Sequence, residues 1–198
     1  MKKAKEFFNL QNSLTLAGIV FGLLAIILFA ASAGYIIIDS GTNAILPSAY
    51  TFIFGGVGQI TYGQVSYELV INSKYMLGLI SWVILLLGLV TLGIYFAAVL
   101  LKKNKLQYIG IASGILLIVG GGMLLSSDAG LISTLKQCKL PFDADYLDEN
   151  CKIGLGFLLP GIFGCISGLL IVMYPLTKII KDKNRNKNKD KENKVNKQ

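Results

Sequence analysis

The chain has 198 residues, of which 54% are hydrophobic and 15% charged, with a formal net charge of +8 and no histidine. Long uncharged apolar blocks, rather than amphipathic spacing, make this a membrane composition. The lack of histidine removes His-based acid–base catalysis and the commonest metal ligand.

Four blocks, residues 14–38, 75–101, 106–127 and 153–177, contain no Asp, Glu, Lys or Arg. About 20 apolar residues cross the hydrocarbon core as a helix, so each block reads as a transmembrane span. The fold class expected is an all-α membrane bundle of four spans with a small extracytoplasmic β-hairpin or sheet cap. Orientation follows from the basic residues, because translocation is biased against Lys and Arg. One side carries Lys2, Lys3 and Lys5, then Lys102, Lys103 and Lys105, then Lys178, Lys181, Lys183 and Arg185; the other holds Lys74, Lys136, Lys139 and Lys152. Both termini are therefore expected in the cytoplasm of a plasma-membrane protein, with residues 39–74 and 128–152 outside. Lys2 to Lys5 before an apolar run and Ala31-Ser32-Ala33 also resembles a cleavable secretory signal. The run continues through Tyr35 to Ile38, which favours an uncleaved first span.

Residues 1–13 form a basic flank with Phe7 and Phe8 near the interface. The first span carries Gly18 and Gly22, the third Gly110 and Gly114, and the fourth Gly164 and Gly168, each pair four apart. Small residues at that spacing let helix backbones approach closely in lipid, within one bundle or between subunits of a homo-oligomer or partner complex. The second span, with Trp82 and Tyr95, has fewer small residues and is expected to be the more lipid-exposed. Residues 102–105 are too few to separate the second and third spans, which must be antiparallel neighbours. Pro160 inside the fourth span withholds a backbone donor and predicts a packing kink.

In the first outer loop, Tyr50 to Phe54 reads as a short strand that breaks at Gly55, Gly56 and Gly58. Beyond the break, Val65, Tyr67, Leu69 and Ile71 alternate with Ser66, Glu68, Val70 and Asn72. This predicts a hairpin within residues 49–72, whose apolar face, Val65, Tyr67, Leu69 and Ile71 with Tyr62, is the candidate partner surface. The second outer loop holds Cys138 and Cys151, expected to form a disulfide on the oxidising side. Closing so short a loop stabilises by roughly 3 kcal/mol in the chain-entropy model. Cys165, within the fourth span, reads as a packing residue. Asp143, Asp145, Asp148 and Glu149 begin like a calcium loop, but Asp148 stands where an EF-hand needs glycine and Gly154 where it needs glutamate. An acidic solvated loop is the expectation, with neither metal nor cofactor.

Residues 178–198 are almost entirely Lys, Asn, Asp and Glu, and with no apolar periodicity they are predicted to be disordered. Their basic excess should hold them near anionic inner-leaflet lipids, each close Lys contributing on the order of 1 kcal/mol. No aromatic platform accompanies the charge, so nucleic acid is not the expected partner. High Lys and Asn beside a single Arg fits an AT-rich, bacterial genome.

Gly55-Gly56-Val57-Gly58 and Gly120-Gly121-Gly122 lack the Lys and Ser or Thr of a phosphate-binding loop. The spans carry no ionisable residue to mark an ion pathway. The order of elements, four spans with a longer strand-bearing first outer loop, a tight inner turn and a shorter second outer loop, resembles the claudin-like tetraspan layout. Residues 39–74 have neither Trp nor Cys, the signature of that family's first outer loop, so no functional residue is carried over. The expected role is non-enzymatic: a surface interaction, scaffold or accessory subunit acting through its outer loops. The alternatives are a channel or transporter component built from the glycine-rich helix faces, and an enzyme working through Asp143, Asp145 and Glu149.

Overall fold

The computed structural model describes residues 10–32, 35–38, 43–45, 48–62, 65–71, 75–101, 107–126, 132, 133, 136, 145 and 149–195. Along the chain come α1 (Leu10–Ala31), β1 (Tyr35–Ile38), β2 (Asn43–Ile45), α2 (Ala49–Phe54), β3 (Gly56–Tyr62) and β4 (Val65–Ile71). There follow α3 (Met76–Leu100), α4 (Gln107–Leu125), β5 (Cys151–Ile153) and α5 (Leu155–Val195).

Four helices are long and apolar enough to cross a membrane: α1, α3, α4 and the Leu155–Ile180 part of α5. At a rise of 1.5 Å per residue they reach from about 28 to about 39 Å, against a hydrocarbon core of about 30 Å. Leu23, Ile27, Val90, Ile94, Ile115 and Leu169 are more than half exposed around the outside of the bundle. In water such a rim would be unstable; in lipid it is the expected solvent face, and the chain is a multi-pass membrane protein.

Lipid gives no hydrophobic drive between helices, so close backbone approach has to hold the bundle. The packing runs α3 on α4, α4 on α5 and α5 on α1, while α1 and α3 meet over a shorter stretch. On the α4–α5 seam, a Cβ built at Gly168 would lie 2.5 Å from the Gly114 carbonyl oxygen, and one at Gly121 would lie 2.6 Å from that of Gly161. Gly88 and Gly120 bring α3 and α4 together in the same way, against Leu117 and Leu85. Two buried hydroxyls pin the seams: Ser167 Oγ donates to the Gly18 carbonyl oxygen at 2.7 Å and Ser113 Oγ to that of Gly88 at 2.8 Å. The buried share of the span is 28% in both α1 and α3, against 39% in α4 and 44% in α5, so the second span shares its lipid exposure with the first.

The strands form one antiparallel sheet in the order β4-β3-β2-β1-β5. Four strands come from the segment between α1 and α3, and β5 comes from the residues just before α5. Pairing of Ile37 with Cys151 and of Tyr35 with Ile153 ties the exit of α1 to the approach of α5.

Several expectations are corrected. Residues 35–38 do not extend the first span: α1 ends at Ala31, and Tyr35–Ile38 becomes β1. An apolar β-branched run fits helix or strand alike, and here pairing on both edges decides it. Tyr50 to Phe54 is not a strand but the helix α2, because a helical turn seats Ala49, Phe52 and Ile53, all at 0% exposure, in the core. The glycine-rich break is largely strand: α2 ends at Phe54, capped by Gly55, and β3 starts at Gly56. The fourth helix starts at Leu155, and Ile153 belongs to β5.

The tail is corrected as well, since α5 continues through the predicted disordered segment to Val195. A helix already formed in the bundle needs no new nucleus, and Lys and Glu propagate helix well. Both Pro160 and Pro175 lie inside α5, and the helix runs through them.

Candidate functional site

At the junction of sheet and bundle, α2 lies across the end of the helices like a plug. Its Ala49 N–H donates to the Ser32 carbonyl oxygen, and Tyr75 N–H donates to that of Phe52, so α2 bridges the end of α1 and the start of α3. Beneath it an aromatic cluster fills the centre: Phe54 meets Trp82 edge-on at 5.2 Å and Phe29 meets Phe157 edge-on at 5.8 Å. Such edge-to-face pairs add about 0.5–1.5 kcal/mol each beyond their burial. Burial pushes the Tyr75 phenol above its ordinary value of 10.0.

The hairpin stands on this plug. Its register, from Gly56 opposite Ile71 to Tyr62 opposite Val65, puts Tyr62, Val65, Tyr67, Leu69 and Ile71 on one face. The two ends of that face differ. Ile71 is 2% exposed and joins the core, whereas Val65 is 52% exposed. The side chains of Tyr62, Tyr67 and Leu69 lie outside the described ones. On the other face Val57 and Val70, paired across the strands, are 62% and 48% exposed, beside the exposed pair Gln59 and Glu68. Val57 is not legible in the sequence, because the glycines around it read as a break. The alternation of Val70 with Leu69 and Ile71 was the only signal for that second face.

Cys151 is buried at the head of β5, while Cys138 lies outside the described residues, as do Asp143, Asp148 and the inner turn at 102–105. Asp145 and Glu149 are exposed, and no cluster of His, Cys, Asp or Glu suited to a metal occurs among the described residues. Cys165 Sγ faces the Ile118 carbonyl oxygen at 3.7 Å on the α4–α5 seam.

The six glycines singled out by spacing are all buried. Gly18 meets Ile171, Gly22 meets Leu89, Gly110 meets the Tyr95 ring, Gly114 meets Gly168, and Gly164 meets Gly121. Gly88, Gly120, Gly121 and Gly161 have the same role, though no glycine four residues away marks them in the sequence. No protein-family model matches the chain, and no curated protein matches it in sequence.

Proposed function

We propose that this is a non-enzymatic membrane protein that contacts a protein partner through the β3–β4 hairpin, as a surface interaction or accessory subunit. The observation that carries this reading is the Val57–Val70 cross-strand pair, exposed on the far side of the sheet from the bundle core. A valine pair outside the spans has no lipid to cover it, and burying it against a partner is favourable. The lysine-rich ends of the helices support a reading in which the sheet is outside the plasma membrane and both termini are in the cytoplasm. The lysine-rich continuation of α5 then lies along the anionic inner leaflet. A Cys138–Cys151 bridge would brace β5; intact mass after alkylation, with and without prior reduction, reads it directly.

The glycine faces do not favour a conduit, because a single chain uses them against its own Ile171, Leu89, Tyr95 and Gly168. A photo-crosslinking residue at position 70, in native membranes, should capture one stoichiometric partner, and Val57→Lys with Val70→Lys should abolish that capture. Specific solute flux through reconstituted protein that persists after both substitutions would overturn the reading. Reporter fusions at either terminus test the sidedness separately.

A further inference from the structure

The sheet has two edges, and they are protected unequally. β5 is three residues long, carries Lys152 and runs through Gly154 into α5. Short length and lysine are usual means by which an edge is kept from pairing with another chain. β4, at the other edge, has seven residues, Val-Ser-Tyr-Glu-Leu-Val-Ile, with no Pro, Gly or Lys. Its register against β3 is unbroken from Tyr62 opposite Val65 to Gly56 opposite Ile71, so no bulge twists it away. Among the described elements β4 packs mainly on β3, and its Val65, Ser66, Glu68 and Val70 are exposed.

The ladder fixes which backbone groups that edge offers. Two residues join Tyr62 to Val65, and a hairpin so connected closes on a hydrogen-bonded pair. From there hydrogen-bonded pairs alternate with non-hydrogen-bonded ones. Tyr67 and Leu69 therefore bond to Ile60 and Gly58, while Glu68 and Val70 turn their N–H and C=O groups outward. Groups spaced two residues apart along an extended edge match another extended strand, which bonds to them in the same alternation. A helix, whose own N–H and C=O groups are bonded internally, offers them nothing.

Charge narrows the choice of strand. Glu68 is the one charged residue of β3 and β4, and it stands opposite Gln59 on the same outer face as Val57 and Val70. A strand added beside β4 sets one residue next to Glu68 and another, two positions away, next to Val70. Lys or Arg at the first and an apolar side chain at the second complement both. A second copy of this chain does not. Pairing β4 with β4 about its midpoint, where all seven residues overlap, sets Glu68 against Glu68, and like charges directly opposite are destabilising.

We propose that β4 is a docking edge that takes an extended segment of a partner protein as a sixth strand, with a basic residue opposite Glu68 and an apolar one beside Val70. This rests on the reading that the hairpin contacts a protein partner, and it specifies the segment and its mode of binding. The test uses the full chain in phosphatidylcholine nanodiscs, the peptide acetyl-Val-Thr-Lys-Thr-Thr-amide at saturating concentration, and residue-resolved hydrogen exchange. Exchange at the Glu68 and Val70 amides should slow several-fold, while the Tyr67 and Leu69 amides, already bonded within the ladder, stay unchanged. Glu68→Lys should remove the effect, and the peptide with Glu in place of Lys should restore it on that variant, which also shows the variant to be folded. Slowing at all four amides alike, slowing at none, or equal slowing of the wild-type chain by the Lys and Glu peptides would each overturn the proposal. So would slowing at Glu68 and Val70 that needs no peptide and grows with protein concentration, because it assigns the edge to a second copy. Crosslinked capture from position 70 reads the hairpin contact separately: capture that persists where the peptide has no effect leaves the contact standing on the Val57–Val70 face and strikes the added strand alone.

Discussion

Gly121 is the sharpest test of how the bundle holds together. An alanine there would set its Cβ 2.6 Å from the Gly161 carbonyl oxygen and 2.9 Å from the Cys165 amide nitrogen, both backbone atoms of α5. No rotamer change relieves such contacts. Bringing the oxygen even to a tight 3.0–3.4 Å needs a separation of about 0.4–0.8 Å between α4 and α5. A gap of that size forfeits roughly a quarter to a half of the dispersion energy of the contacts it opens, and between lipid-bathed helices dispersion is the main attraction. The expected cost is about 1–3 kcal/mol. Gly122, the next residue, has nothing within 4 Å of its would-be Cβ and supplies the control. Replacing glycine by alanine raises helix propensity at both positions, so their difference isolates the seam. Unfolding in mixed micelles, followed by Trp82 fluorescence, should place Gly121→Ala below Gly122→Ala by that margin. Adding Cys165→Ala should not restore it, because the clash is with backbone. Equal stability of the two variants would refute close packing of α4 on α5.

Three further outcomes follow from the same structure. Ser167→Ala and Ser113→Ala each remove one buried interhelical hydrogen bond. Each should lower stability by only about 0.6 kcal/mol, the usual size in membranes, and the losses should add because the bonds lie on different seams. Phe52→Ala leaves a void at a site with 0% exposure, and should cost about 3–5 kcal/mol by the same unfolding assay. Asn186→Pro breaks α5 in its polar part. It should lower helix content measured by circular dichroism without moving the unfolding transition, and an unchanged spectrum would count against the extended helix.

The spans were legible because a long block without ionisable side chains has few alternatives, and the helix bounds fall within a few residues of the hydropathy blocks except where a strand intervenes or, in α5, where the helix continues into the tail. Tyr35 to Ile38 and Tyr50 to Phe54 were not legible for one shared reason. Each is a short run of β-branched and aromatic residues, and its state is set by what it packs against: β2 and β5 for the first, and Phe29, Trp82 and Tyr75 for the second. Local propensity gives the same answer for both, and the structure gives opposite ones. The tail failed differently, because its composition predicts whether a segment folds alone, whereas here a preceding helix supplies the nucleus. At the hairpin the alternation from Val65 to Ile71 located β4, but only the pairing shows that Ile71 belongs to the core and that Val57 and Val70 share the outer face.

A free two-stranded hairpin is marginal in water, so the proposed contact surface depends on how β3–β4 is anchored. Part of the anchor is lateral: among the described residues, β3 pairs with the inner strands at Thr61 opposite Ile45. The larger part is the plug, since β3 leaves α2 through Gly55 and Gly56, at φ 77° and 144°. Gly55, with ψ 169°, lies in a region that is essentially glycine-only, and its would-be Cβ meets the Ile71 carbonyl oxygen at 3.1 Å. Gly55→Ala should therefore cost about 1–3 kcal/mol. Because the strain falls at the joint, the damage should concentrate in the sheet rather than in the spans. Hydrogen exchange would show this as faster exchange in β3 and β4 with α4 and the apolar part of α5 still protected. Uniform loss of protection would mean that sheet and bundle unfold as one unit, and that a partner bound at Val57 and Val70 acts directly on the packing of the membrane helices.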